Sequence, residues 1–188
     1  MTVKDNGKVQ PIRPAAHEQI VLDEDAINAI KNNGGASANL NNDAVRKDII
    51  KLLNDSLATE LVCVLRYKRH HFTANGLASP KIAEEFLVHA NEESAHADRI
   101  AKRIVQLGGE PDFSPDSLLA RSHAAYNDSV DLTAMIEANL TAELVAIEAY
   151  SQMVTLIGTK DSTTRRLIED ILSDEQAHAE ELKGWLGN

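Results

Sequence analysis

Two shortages narrow the class of protein at once: the sequence has little cysteine and no long apolar run. Cys63 is the only cysteine among 188 residues, so an intrachain disulfide is excluded and a reducing compartment is indicated. No uninterrupted apolar stretch approaches the roughly 20 residues that cross a bilayer. The first ten residues also lack the apolar run of a secretory signal. We therefore expect a cytoplasmic protein without a membrane segment.

Basic side chains are outnumbered as well. The chain has 19 Lys and Arg against 29 Asp and Glu, which gives a formal net charge of −10. An acidic surface attracts cations and repels the phosphates of nucleic acid, so DNA binding by the folded body is disfavoured. A weaker hypothesis remains for the N-terminal tail, where Lys4, Lys8 and Arg13 would let a stress-protective protein compact DNA.

Strand patterns are missing too, because no segment alternates apolar and polar residues at length. Instead, four segments after residue 43 carry apolar side chains at steps of three and four, the period of an α-helix. The prediction is an all-α fold, a four-helix bundle over residues 43–187. Residues 1–42 are predicted to form a partly irregular N-terminal extension, with a short helix over 23–31, that packs on the bundle or on a neighbouring subunit.

The helix boundaries follow from capping residues. The first helix is predicted to begin at Asp43 as N-cap, the second at Ser79-Pro80, the third near Asp128 or Ser129, and the fourth after Asp161. The connection from residue 108 to about 127 is too long for a simple loop. It predicts a crossover that joins two parallel helices, as in one-crossover bundles, with a helical turn over 121–126.

One pattern of metal-ligand residues occurs twice on these helices. Glu60 is followed after 33 residues by Glu93-x-x-His96, and Glu143 after 32 residues by Glu175-x-x-His178. The flanking residues repeat as well, since Leu57–Tyr67 aligns with Leu140–Tyr150. A single Glu-x-x-His is common by chance, and any one Glu could lie on the surface. Two copies in matching frames favour a dinuclear metal site built from one Glu on each of two helices and one Glu-x-x-His on each of the others.

Charge explains why such a pattern needs metal. Residues i and i+3 share a helix face, so these side chains point the same way as the apolar residues, into the core. Each unpaired buried carboxylate costs several kcal/mol, and two divalent cations balance four carboxylates. We expect Glu93 and Glu175 to bridge the ions, with Glu60 and His96 completing one and Glu143 and His178 the other. Carboxylate and imidazole donors suit iron, manganese or zinc.

Neighbouring residues support several smaller hypotheses. Glu92 and Asp174 are placed to accept the second N–H of a ligating histidine, or they are simply exposed acids. Tyr67 and Tyr150 lie two turns past Glu60 and Glu143, where they bond ligand carboxylates, relay an electron or only fill the core.

Other side chains near the pattern have structural as well as functional interpretations. His89 marks a third, weaker metal site, a residue that supports a ligand, or a plain core histidine. Cys63 is expected to be a buried, inert thiol. The basic run over residues 66–71, with His70 and His71, is expected to be a solvated face.

These residues resemble the ferritin-like superfamily, and bacterioferritin most closely, over about residues 43–186. The likeness rests on Glu60-Leu-Val with Tyr67, Glu93-x-x-His96-Ala-Asp-Arg, Glu143-Leu, and Ile171-Leu-x-Asp-Glu175-x-x-His178. The resemblance implies a ferritin-like four-helix bundle with ferroxidase activity. Two Fe(II) ions, the substrate of a di-iron site, would be oxidised by dioxygen or hydrogen peroxide, and the ferric mineral would be held in a hollow shell.

The sequence departs from bacterioferritin in three ways. Ser94 stands where that family has its haem-ligating Met, so haem is not expected. A fifth helix after Trp185 is missing, and there is an N-terminal extension. The last two features resemble Dps-type mini-ferritins, so a 12-subunit cage is favoured over one of 24 subunits. The alternative hypothesis is a small di-metal oxidoreductase of the manganese catalase or peroxidase type, without mineral storage.

Overall fold

The computed structural model describes residue 22 and residues 24–33, 42–76 and 79–187. Two short helices, α1 (Glu24–Asn33) and α4 (Leu118–Arg121), accompany four long ones: α2 (Asp43–Thr73), α3 (Ser79–Gln106), α5 (Leu132–Ile157) and α6 (Ser162–Leu186). No strand occurs within the described ranges. The predicted all-α bundle is therefore confirmed, with its long crossover between the second and third long helices.

Side-chain caps set where the long helices begin. At α2 the cap is Asn42, one residue before the predicted Asp43, and its side chain accepts from the Ala44 amide. Asp161 caps α6 by accepting from the amides of Thr163 and Thr164, which satisfies two of the N–H groups that every helix start leaves unpaired.

The predicted start of α5 near Asp128 or Ser129 was three to four residues early. Asp131 is the N-cap, accepting from the Ala134 amide. Ser129 is held in the crossover instead, because its carbonyl accepts from Arg69 Nη1 at 2.9 Å and its amide donates to Asn127 Oδ1 at 2.9 Å. The helical turn in the crossover likewise lies at α4, just before the predicted 121–126.

Two helix pairs form the bundle: α2 packs along α3, and α5 packs along α6. Their apolar stripes meet in a large buried cluster that includes Leu53, Ile100, Met153 and Ile168. The crossover passes along the outside of α2, where Leu118 of α4 packs on Ala58 and Val62. This arrangement turns the middle of all four long helices towards one shared interior.

The start of the described chain is packed on the bundle. Leu22 is buried and Ile27 of α1 packs against the large cluster. The Leu22 amide also donates to Gln152 Oε1 on α5 at 3.4 Å. The tail residues Lys4, Lys8 and Arg13, like most of the predicted irregular extension, lie outside the described residues.

The basic run over residues 66–71 was predicted to be a solvated face, and this is wrong for the half of it that turns into the bundle. Arg66, Tyr67 and His70 are fully buried. Arg66 donates to Asn139 Oδ1 at 2.8 Å, to the Ala125 carbonyl at 3.1 Å and to Cys63 Sγ at 3.3 Å. The charge is retained in the interior because these acceptors replace water.

By length and composition alone, α5 could cross a membrane. The core helix of a bundle has the same properties. In this fold α5 turns Asn139, Glu143 and Tyr150 into the bundle, where all three are buried and bond residues of α2.

We predict that His70 makes the fold sensitive to acid. Burial, then the charge of Arg66, lower its pKa from 6.5 to about 4. Between pH 6.5 and pH 4, His70 is therefore protonated in the unfolded chain but neutral in the folded one. The free energy of unfolding falls as the pH is lowered through this range. The loss between pH 7 and pH 4.5 should be about 2 kcal/mol. Urea unfolding at pH 7 and pH 4.5 measures it.

His70→Gln is the matched variant. Asn139 Nδ2 lies 3.1 Å from His70 Nδ1, and the amide oxygen of the new glutamine can still accept from it. Its free energy of unfolding should fall by less than that of the parent protein over the same pH range. Equal losses in the two proteins would contradict this role of His70.

Candidate metal centre

All six predicted ligands meet in the interior at the middle of the bundle. Their side chains are nearly inaccessible, with residue exposures between 1% and 5%. Each long helix contributes at the level where its apolar stripe faces the other three: Glu60 from α2, Glu143 from α5, Glu93 and His96 from α3, and Glu175 and His178 from α6.

The six residues divide into two overlapping groups. Glu60 and His96 share one group with Glu93 and Glu175, and within it one potential ligand atom from each residue lies within 4.8 Å of the others. His96 Nδ1 is 3.4 Å from Glu60 Oε2 and 3.3 Å from Glu175 Oε1.

The second group holds Glu143 and His178 with the same two carboxylates. His178 Nδ1 is 3.6 Å from Glu93 Oε1 and 3.5 Å from Glu175 Oε2, and 3.8 Å from Glu143 Oε2. Glu93 and Glu175 thus belong to both groups, which is the arrangement that two bridged cations require.

A chemical test of the fit comes from polar atoms without a hydrogen bond. Among the described residues, nine buried side-chain nitrogens and oxygens lack a partner, and seven of them belong to these six residues. They include Nδ1 of both histidines and both oxygens of Glu175. Buried polar atoms are normally paired, so a cluster of unpaired carboxylate and imidazole atoms facing one another suits divalent cations.

The pKa values differ between two kinds of carboxylate: the shared ones, Glu93 and Glu175, and the terminal ones, Glu60 and Glu143, which each belong to one group. Burial raises the pKa of Glu60 well above its ordinary value, and the charges of Glu175 and Glu93 add to the increase. Burial and the same two neighbours also raise the pKa of Glu143. Protons therefore favour the two terminal carboxylates.

The shared carboxylates and the histidines shift the other way. Burial raises the pKa of Glu93, but hydrogen bonding with Glu60 and then with the two imidazoles lowers its net pKa. Burial and the charge of Glu93 raise the pKa of Glu175, but hydrogen bonding with the two imidazoles and Glu143 lowers its net pKa. Burial lowers the pKa of His96 and His178, yet the surrounding carboxylates raise both well above the ordinary value. Two carboxylates and two imidazolium groups thus leave the cluster neutral when protons, rather than metals, balance it.

The outer nitrogen of each histidine pairs across the bundle with an acid beside a shared carboxylate. His96 Nε2 lies 3.2 Å from Asp174 Oδ2, and His178 Nε2 lies 2.9 Å from Glu92 Oε2. When a cation replaces the protons and the rings are neutral, these contacts favour the tautomer that turns a bare Nδ1 towards the cluster. Asp174 and Glu92 are about half exposed, so each also reaches the surface.

Each tyrosine bonds the terminal carboxylate of the opposite helix. Tyr67 on α2 donates to Glu143 on α5, and Tyr150 on α5 donates to Glu60 on α2. Both rings are fully buried, and burial raises the pKa of both hydroxyls. Each tyrosine therefore holds one terminal carboxylate in place as a neutral donor.

His89 stands beside this network on one side only. Its Nδ1 is 3.2 Å from Tyr67 Oη and its Nε2 is 3.1 Å from Glu181 Oε2. It can be grouped with Glu92 and His178 as a third set of candidate ligands, but both of its nitrogens are already paired. Sequence reasoning missed Glu181 because it follows His89 by 92 residues and carries no motif.

The sequence profile of the ferritin-like domain matches residues 50–188. The chain belongs to the ferritin-like family. Within that family, it is 30% identical over 131 residues to a bacterioferritin of Desulfovibrio desulfuricans, which covers 69% of each chain.

Solved ferritin-like structures have the same fold. The bacterioferritin of D. desulfuricans, described as having a diiron site, superposes with a TM-score of 0.66 and 28% identity over 74% of this chain and 78% of the other. A dodecameric thioferritin from Bacteroides fragilis gives a TM-score of 0.74 at 24% identity, covering 88% and 94%. A Dps protein from Vibrio cholerae gives 0.72 at 20%, covering 75% and 90%. The last two likenesses support the fold alone.

The sharing of Glu93 and Glu175 predicts how many ions each variant binds. Glu93→Ala or Glu175→Ala should lose binding of both Co(II) ions, because each side chain belongs to both groups. Glu60→Ala or Glu143→Ala should lose only the ion in its own group. Anaerobic titration followed by the visible absorption of Co(II) measures the number bound.

Glu180→Gln is the control, since it removes one carboxylate from the exposed surface of α6. It should retain the parent stoichiometry. Loss of one ion only in the Glu93 and Glu175 variants would contradict bridging by these residues.

Proposed function

We propose that this ferritin-like protein oxidises Fe(II) with dioxygen or hydrogen peroxide at an intrasubunit dinuclear site, and stores the ferric product in a cage of identical subunits. The observation that carries the proposal is the set of six buried ligands with two shared carboxylates in one bundle. Family membership and the diiron site named for the D. desulfuricans protein support iron as the substrate.

The residues of the site have separate tasks. Glu93 and Glu175 hold two Fe(II) ions side by side, while Glu60 with His96 and Glu143 with His178 complete the two positions. Four carboxylates balance two divalent cations, and the histidines bind as neutral donors.

Fixed anionic oxygen ligands favour iron in its higher charge state, so binding also favours oxidation. Each Fe(II) gives up one electron, and two electrons with two protons reduce dioxygen to hydrogen peroxide, or hydrogen peroxide to two molecules of water. Tyr67 and Tyr150 keep the terminal carboxylates oriented, while Glu92 and Asp174 fix the histidine rings.

The outer surface favours assembly. Within the described part of the chain, large apolar side chains are exposed on α2 and the crossover, among them Leu65 at 52%, Phe72 at 78%, Leu119 at 64% and Val130 at 68%. We propose that these side chains contribute apolar surface to contacts between subunits. The B. fragilis neighbour is described as dodecameric, and we propose a 12-subunit cage for this protein. The single cysteine and acidic charge suit the cytoplasm.

Aerobic addition of Fe(II) should give a fast oxidation phase that ends at about two irons per subunit, followed by slower uptake. Glu93→Ala and His178→Ala should lose the fast phase, because each removes a ligand from the dinuclear site. Stopped-flow absorbance of ferric species measures both phases, with Glu180→Gln as the variant expected to match the parent. Unchanged fast oxidation in both ligand variants would refute the proposed site.

Light scattering after size-exclusion chromatography tests storage separately from oxidation. A mass near twelve subunits supports the cage. A monomer or dimer with manganese in metal analysis would favour a small di-metal oxidoreductase of the catalase or peroxidase type.

A further inference from the structure

The dinuclear site offers two cation positions with the same types of ligand but with different surroundings. The Glu60 position is formed by Glu60 and His96 with the two shared carboxylates, and the Glu143 position by Glu143 and His178 with the same two. A buried positive charge lies beside one of these positions and has no counterpart beside the other.

That charge belongs to Arg66, which is fully enclosed in the bundle. Within the described ranges, Arg66 is the only Lys or Arg that is buried. It donates to the Asn139 amide oxygen, to the Ala125 carbonyl and to Cys63 Sγ, so its hydrogen bonds go to an amide, a carbonyl and a thiol rather than to a carboxylate. A guanidinium stays protonated in proteins. The interior therefore keeps a cation that no hydrogen-bonded carboxylate neutralises.

Arg66 lies on the side of the site that holds the Glu143 position. Its guanidinium carbon is 5.5 Å from the centroid of the Tyr67 ring, and the hydroxyl of that ring donates to Glu143. Asn139, which accepts from Arg66, stands one turn before Glu143 on α5. With ordinary ring dimensions and hydrogen-bond lengths, the charge lies within about 11 Å of the Glu143 carboxylate.

The matched residue in the other half of the repeat is uncharged. Arg66 stands six residues after Glu60. In the second copy, the residue six positions after Glu143 is Ala149, which is also fully buried. Ala149 lies in an apolar cluster with Tyr150, the tyrosine that donates to Glu60. The Glu60 position is therefore bordered by apolar groups where the Glu143 position is bordered by a guanidinium.

We propose that Arg66 weakens cation binding at the Glu143 position, so that the Glu60 position fills first, an inference that rests on the proposed dinuclear site. Two divalent cations balance the four carboxylates, and the guanidinium then remains as an excess positive charge that repels the nearer cation more strongly. Because this charge is buried, salt screens the repulsion little. Arg66 binds no cation itself and acts through its charge alone.

Co(II) affinity measured at one position at a time tests this effect. Glu60→Ala is expected to keep only the Glu143 position, and Glu143→Ala only the Glu60 position. Arg66→Gln removes the charge, so in the Glu60→Ala protein it should lower the Kd for Co(II), measured by titration calorimetry, at least about tenfold. In the Glu143→Ala protein the same change should lower the Kd by a smaller factor. An unchanged Kd in the Glu60→Ala protein, or an equal or larger effect in the Glu143→Ala protein, would overturn the proposal.

Arg66→Lys is the matched control, since it changes the side chain but retains a positive charge. In the Glu60→Ala protein it should leave the Kd for Co(II) close to the value measured with Arg66 in place. A Kd as low as that of Arg66→Gln would contradict an effect of charge.

Asn139→Asp decides the matter if Arg66→Gln does not fold, as judged by far-UV circular dichroism. It places a carboxylate where the Asn139 oxygen lies 2.8 Å from Arg66 Nε, so the charge is compensated while the guanidinium stays. This variant should also lower the Kd at the Glu143 position, and an unchanged Kd would overturn the proposal. Failure of the parent protein to bind Co(II) would overturn the dinuclear site itself, which distinguishes it from failure of the role of Arg66.

Discussion

Four carboxylates lie together in the buried centre of this bundle, and most of the groups around them compensate their negative charge. A buried anion is tolerated only when another charge or several hydrogen bonds compensate it. Here the compensation comes from two imidazoles inside the cluster, two tyrosines beside it and the cations that the six side chains suit. The apolar stripes above and below the site bring the helices together.

Hydrogen bonds between helices that are distant in sequence hold the side chains of the site in place. The two tyrosines each bond the carboxylate of the opposite helix, and the two ligating histidines each bond an acid of the opposite helix. Such cross-links fix the register of α2 against α5 and of α3 against α6. The two halves differ beside Tyr67, where His89 stands four residues before Glu93 and Ile171 stands four residues before Glu175.

Sequence reasoning succeeded where periodicity and duplication agreed. The helical steps, the repeat of Glu with Glu-x-x-His and the long connection predicted the bundle and the crossover, and the structure brings all six proposed ligands together. Predictions from the sequence failed where hydrogen bonds between distant residues decide where a helix starts or which side chains are buried. The start of α5 was misplaced because Ser129 bonds Arg69 instead of beginning a helix. The basic run at the end of α2 was misread because Arg66 finds its acceptors on α5 and the crossover.

By itself, the sequence determined which helix faces are apolar and which ligand types interrupt them, because both follow from spacing within a single helix. Only the tertiary structure decided which acid serves which histidine, that Tyr67 reaches Glu143, and that His89 connects to Glu181. These pairings join residues up to 92 positions apart. They depend on the rotation and register of packed helices, quantities that no local pattern encodes.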